Sequence, residues 1–381
     1  MSGSKLADFR RVVIKIGSAL LMDADRRLHR NWLNGLAEDI AALRAEDKQI
    51  LVVTSGAVAI GSRVLNINPR RCRLEELQAA AAAGQVQLVH AYQEALGLHG
   101  ITAAQVLLTP DDTEIRRRFL NARGTLEKLL EHGIVPVINE NDTVATDELR
   151  YGDNDRLAAR VAQLVMADGL VLLSDVDGFY TADPRTFPDA EHVAMVTDIT
   201  DEMFTMAGSL PGAVGRGGML TKLQAARIAT HAGCSTLLAC GAVDRPLSVL
   251  ASGGKCTAFV AGRTPAAARK QWLAGMLEVR GELRLDAGAV QALRAGSSLL
   301  PVGLVEVVGY FRRGDAVTLA DARGAELGRG LAAYSSEEAA AIRGRRSEQI
   351  EAILGYRGRS VMVHRDDLVL FGAEPDRAGR L

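Results

Sequence analysis

Aromatic residues make up only 4% of the 381-residue chain, too few rings for a base-stacking platform. Charge of one sign is missing too. The 45 Lys and Arg stand against 46 Asp and Glu, a formal net charge of -1, so no global positive field gathers phosphates as a generic nucleic-acid coat would. No run approaches the ~18 apolar residues of a membrane span. The opening residues MSGSKLADFRRVVIKIG contain no apolar signal core, so a cytoplasmic protein with no membrane partner is expected. The four cysteines, Cys72, Cys234, Cys240 and Cys256, form no C-x-x-C pair and read as buried, reduced thiols. The seven histidines have no metal-ligand spacing, so no zinc site is placed. The P-loop pattern, a G-x-G-x-x-G after a strand and the G-x-S-x-G elbow are all absent. A P-loop fold, a dinucleotide fold and a serine hydrolase therefore lose support.

What is present is a regular alternation. Six strand-like runs, VVIKIG (12–17), ILVVTSG (50–56), ITAAQVLL (101–108), IVPVIN (134–139), LVLLSD (170–175) and STLLAC (235–240), include several that are nearly continuous Val, Ile and Leu. Strands buried on both faces have that composition. Helical periods fill the gaps at Asn31–Lys48, Leu74–Leu98, Arg117–Glu131, Asp155–Ala167 and Leu220–His231. Strand then helix, repeated, predicts an α/β three-layer sandwich around a mostly parallel sheet. The texture changes after about Leu250. Glycine and proline punctuation and a helical segment at 267–276 lead into short strand-like pieces, GELRLD, LVEVVGYF, AVTLAD and SVMVHRDDLVLF. One helical stretch over Ser335–Leu354 interrupts them. This predicts a small, mostly β domain of about 90 residues. The expected limits are a catalytic domain over 1–265, a linker over 266–280, the β domain over 281–372 and a tail over 373–381.

Ligands of open α/β sheets sit beyond the carboxyl ends of the strands, so the residues that follow each run matter most. They are Gly17-Ser18, Ser55-Gly56-Ala57, Asn139-Glu140-Asn141-Asp142 and Ser174-Asp175. Glycine lets the backbone approach a ligand, and the next helix begins with free N–H groups suited to an anion. A plain βα turn with a serine N-cap would look the same at one strand end, but the feature recurs. Lys15 lies inside an apolar strand, where an ammonium needs a partner or must snorkel. A phosphate beyond the strand end is such a partner. Y-G-D-N-D-R (151–156) carries Asp153 and Asp155 around Asn154, one acid more than a helix cap needs. G-R-G-G-M-L-T-K (215–222) is a glycine-rich turn entering a helix that contains Lys222.

Taken in order, VIKIGSALL, VVTSGAVAIG, FLNARGTLEKLL, VPVINENDTVAT, YGDNDRLAARVA, LLSDVDGFYTADPR and GRGGMLTKLQAA resemble the glutamate 5-kinase family, of the amino acid kinase fold. The tail, with GSSLLPVGLVEVVGYFRRGD and EAILGYRG, resembles the PUA domain fused to its bacterial members. The resemblance implies transfer of a phosphoryl group from ATP to L-glutamate with Mg²⁺, giving L-glutamyl 5-phosphate and ADP, the first step of proline biosynthesis. It implies Lys15 and Lys222 on the transferring phosphates and Asp155 orienting them. It implies Ser55, Asp142 and Asn154 on glutamate. Around the nucleotide it implies Lys15, Gly17, Ser174, Asp175, Arg216, Gly217, Gly218, Met219, Leu220, Thr221 and Lys222; the metal-holding residues stay unknown. Arg216 departs from the small hydroxyl residue many members have there. Proline as an inhibitor at a site overlapping that of glutamate, a homodimer or tetramer, and glutamyl-phosphate reductase as a partner carry over as expectations.

Two other readings remain. From Gly281 onward there are 14 Arg, no Lys and 14 Asp and Glu, and the R-G-R-R run (343–346) with Arg357 and Arg359 could form a local RNA-binding patch. A solvated helix face and turn accounts for the same arginines. The other reading keeps the fold and changes the acceptor to acetylglutamate, aspartate, carbamate or a nucleotide monophosphate.

Overall fold

The computed structural model describes residues 5–23, 27–144, 154–208, 218–275 and 278–371, which fall into two units, 1–265 and 266–381. In the first unit all six apolar runs form strands: β1 (Arg11–Ile16), β2 (Gln49–Val53), β3 (Ala103–Leu108), β4 (Val135–Glu140), β5 (Gly169–Ser174) and, later in the chain, β9 (Ser235–Cys240). They pair in parallel, in the order β3-β4-β2-β1-β5-β9. Their carboxyl ends therefore share one edge.

Alternation along the strands builds two cores. Val12, Ile14 and Ile16 of β1 pack with Val52, Leu173 and Leu237 under the helices Arg30–Ala45 and Leu74–Gly97, which contribute Trp32, Leu36, Leu88 and Tyr92. Val13 faces the other way. With Val53, Leu172 and Leu238 it meets Leu126, Ala158 and Leu223 of the helices Arg116–Glu131, Asn154–Leu164 and Met219–His231. The result is the expected three-layer arrangement.

The sheet runs further than its long apolar segments. Cys256–Phe259 (β10) pairs antiparallel with β9 and parallel with Met195–Val196 (β8) at the sheet edge, while Phe179–Tyr180 (β6) and His192–Val193 (β7) form a separate small ribbon. These strands of two to four residues are too short to show a period. The helix Ala57–Val64 was also not read from the sequence; it begins directly after the Ser55-Gly56 turn. Of the cysteines, Cys234 is fully buried and the other three are partly so.

In the second unit Gly281–Leu285 (β11), Leu304–Gly309 (β12), Ala316–Asp321 (β13), Glu326–Leu331 (β14) and Leu368–Leu370 (β15) form one sheet in the order β12-β11-β13-β14-β15. Its core holds Leu283, Leu319, Tyr334, Ile342 and Val363. The expected single helix over Ser335–Leu354 is two, Ser336–Ile342 and Ile350–Leu354. Between them Gly344 turns the chain at φ 69, and the R-G-R-R arginines are exposed on this turn. Of SVMVHRDDLVLF only Leu368–Leu370 is a strand, with Val363 bridging Leu299. Among the described residues no helix is long and apolar enough to cross a membrane.

Candidate active site

Lys15 lies on the Val13 side of β1, level with Val53 and Leu172. That side is covered by the helices Asn154–Leu164 and Met219–His231, which carry Asp155 and Lys222 near their first turns. The three side chains meet there. Lys15 Nζ is 2.5 Å from Asp155 Oδ1, Lys222 Nζ is 3.3 Å from Asp155 Oδ2, and the Thr221 hydroxyl donates to Oδ2 at 2.8 Å. Lys15, Asp155 and Lys222 are 7%, 1% and 5% exposed. Burial alone would raise the Asp155 carboxyl, but the Lys15 and Lys222 charges and the hydrogen bonds from Lys15 and Thr221 outweigh it and hold it below the usual carboxylate range. Two buried ammonium groups on one ionised carboxylate carry a single positive charge between the three, a setting that favours an anion.

Asn154, one residue before Asp155, joins this group to a second. Its Nδ2 faces Thr54 O at 2.9 Å, Ser55 Oγ at 2.7 Å and Asn139 Oδ1 at 3.2 Å. The ends of β2 and β4 and a helix start thus converge through one amide. The turn between β2 and the following helix passes through Gly56 at φ 100, which a side chain would resist, and no side chain caps that helix. Asp142 sits half-buried in the short turn Asp142–Val144 after β4, and burial pushes its carboxyl up to about 6.

Of the residues expected around a nucleotide, Gly17 and Ser174 follow on the adjacent ends of β1 and β5. Gly17 N–H donates to Leu173 O at 3.3 Å, and the Ser174 hydroxyl donates to Asp175 at 3.0 Å. Gly218 caps the helix Met219–His231 with its backbone alone, leaving the first-turn amides of Met219, Leu220 and Thr221 without a side-chain cap. Arg216, Gly217, Gly152 and Asp153 lie outside the described residues. Asn139 stood out in the sequence only as part of the polar cluster after the fourth run, and Thr54 and Gln85 not at all, although each holds part of the Asn154 network. For Gln85 a signal existed: it is the first polar residue after an Ala-rich stretch, at a position the helical period turns inward.

The Amino acid kinase family profile matches residues 10–240, and a PUA domain profile matches residues 281–354. A glutamate 5-kinase of Paramagnetospirillum magneticum is 56% identical over 370 residues, covering 97% of this chain and 100% of its own. One of Rhizobium rhizogenes is 53% identical, covering 100% and 98%. Among solved structures, UMP kinase from Ureaplasma parvum aligns at TM-score 0.47 with 17% identity, over 66% of this chain and 98% of its own. The chain therefore belongs to the amino acid kinase family, and within it to the glutamate 5-kinases.

Proposed function

We propose that the protein transfers the γ-phosphoryl group of ATP to the side-chain carboxylate of L-glutamate, giving L-glutamyl 5-phosphate and ADP, the first step of proline biosynthesis. The observation that carries the reading is the Lys15–Asp155–Lys222 cluster at the carboxyl edge of the sheet. A carboxylate is already a nucleophile at neutral pH, so no general base is required. The obstacle is repulsion between an anionic nucleophile and an anionic phosphoryl group, and catalysis reduces to positioning and charge cancellation. Lys15 and Lys222 lie against the transferring phosphoryl, and Asp155 keeps both ammonium groups aimed at it. Gly17, Ser174, Asp175 and the 216–222 segment border the nucleotide, where uncapped amides suit phosphate oxygens. Ser55, Asn154 and Asp142 hold glutamate, the last two facing its ammonium.

Mg²⁺, arriving with ATP, supplies further neutralisation of phosphate charge. Among the described residues no three His, Cys, Asp or Glu side chains stand together, and this suits an ion held mainly through substrate phosphates and water rather than by a protein cage. The working limits are a catalytic domain over 1–265, a linker over 266–280, a PUA domain over 281–372 and a tail over 373–381. Cytoplasmic location, assembly as a dimer or tetramer, proline as an inhibitor competing with glutamate, and delivery of the labile product to a reductase complete the proposal.

Hydroxylamine traps acyl phosphates, which gives the test. With ATP and Mg²⁺, purified protein should form hydroxamate from glutamate and not from acetylglutamate, aspartate or carbamate. A different preferred acceptor, or none, overturns the assignment.

A further inference from the structure

The helix Leu74–Gly97 sends one polar side chain into the interior beside this network. Gln85 is 7% exposed. Its Oε1 accepts from Asn139 Nδ2 at 2.8 Å, and its own Nε2 has no hydrogen-bond partner among the described residues. Asn139 Oδ1 accepts in turn from Asn154 Nδ2 at 3.2 Å and from the Glu140 backbone N–H at 2.9 Å. The three amides run head to tail.

A side-chain amide has two chemically different ends, and a flip exchanges an acceptor for two donors. Gln85 Oε1 holds the Asn139 nitrogen on the side away from Asn154. If Asn139 turned over, its N–H groups would meet those of Asn154, and Asn154 would lose an inward partner. With Asn139 held, Asn154 spends its nitrogen inward, and its Oδ1 is left buried with no donor among the described residues. A buried acceptor in that state is unfavourable until a ligand brings a donor. An ammonium is such a donor.

The position of Gln85 is itself enforced. A Cβ added to the preceding residue, Gly84, would stand 1.9 Å from Ala57 O, so the long helix lies backbone to backbone against the start of the helix that follows Ser55-Gly56. Gln85 has little freedom to move away from Asn139.

We infer that Gln85 is a positioning residue: by holding Asn139 it keeps Asn154 Oδ1 available as the hydrogen-bond acceptor that makes this pocket select an acceptor substrate with an ammonium group. The inference rests on the proposed glutamate site. Glutarate, the same dicarboxylate without the ammonium, is the probe.

Gln85→Met removes the amide at nearly constant length. It should raise KM for glutamate at least ~10-fold while KM for ATP and kcat stay within about threefold, and it should lower the glutamate-to-glutarate ratio of kcat/KM at least ~10-fold. A merely structural role would reduce the active fraction and move neither KM nor the ratio. Gln85→Glu keeps an oxygen facing Asn139 and gives up only a nitrogen without a partner, so it should restore the ratio to within about threefold of wild type. If Gln85→Met does not fold, Gln85→Asn, whose shorter side chain withdraws Oε1, is read in the same way. An unchanged ratio in a folded Met or Asn variant overturns the inference. A wild-type chain that makes no hydroxamate from glutamate overturns the functional assignment instead.

Discussion

Lys15 shows how one position in a strand fixes a site. It follows Val13 at an interval of two, so its side chain enters the layer beneath the helices that carry Asp155 and Lys222 rather than the layer beneath Trp32 and Tyr92. Replacing Lys15 or Lys222 with Ala leaves Asp155 one ammonium partner and the Thr221 hydroxyl, so the fold should survive. Turnover should not: kcat falls at least ~10²-fold, the scale of losing one preorganised charge. Near-normal hydroxamate formation in either variant would remove that lysine from the chemistry. Asp142 gives a pH signature. Its carboxyl is raised from 3.8 to about 6 by burial, so the folded protein holds an extra proton between those values, and this group's contribution to stability declines as pH rises across the window. Binding an ammonium needs the ionised form. The pH profile of kcat/KM for glutamate should therefore fall below about pH 6, and Asp142→Asn should lower the plateau and flatten that limb. A limb that persists in the Asn variant assigns the titration to another group.

At the scale of elements, the long helix Leu74–Gly97 organises the acceptor side. Gln85 holds Asn139, and Tyr92, two turns on, pairs its hydroxyl with Thr54 Oγ1 at 3.0 Å, beside the carbonyl that receives Asn154. The helix can do this because glycines let it approach. A Cβ at Gly61 would lie 1.7 Å from Ala80 O, and one at Gly84 would lie 1.9 Å from Ala57 O. Gly84→Ala must push two backbones apart. It should cost about 3 kcal/mol in urea unfolding, the upper end of overpacking penalties, and it should raise KM for glutamate more than for ATP. A neutral Gly84→Ala would show that the two helices slide without disturbing the strand ends. What was legible in the sequence follows from the same physics. Val12–Ile16, Leu51–Val53 and Leu170–Leu173 read as strands because burial on both faces leaves them almost no polar residues. Lys15 and the acids after the strands stood out against that background. Cys256–Phe259 did not, since a strand of four residues has no period to display. Ser335–Leu354 read as one helix because its composition is helical throughout, and the single turn at Gly344 divides it. Gln85 stayed hidden because its importance comes from a strand end 54 residues away.

The whole molecule divides its labour along the chain. The two cores of the first unit draw on residues from Leu6 to Phe259, and the core of the second unit draws on Leu283 to Leu368. Lys15, Ser55, Asn139, Asp142, Asn154, Asp155 and Lys222 all belong to residues 1–265, as does Gln85. A unit of that length is long enough to bury a core of its own, and among the described residues helices cover both faces of its sheet. The second unit contributes none of the groups proposed for the transfer, and from Gly281 onward its 14 arginines are matched by 14 acids, while 266–280 add only Arg269, Lys270 and Arg280 against Glu278, so it adds little net field to attract ATP. A chain ending at Pro265 should therefore fold and form hydroxamate from glutamate and ATP with kcat within about threefold of the full-length protein. Circular dichroism and the trapping assay check this together. Native-like spectra with turnover below about a tenth would assign the C-terminal unit a part in catalysis, because every group invoked for charge cancellation and substrate holding would still be present.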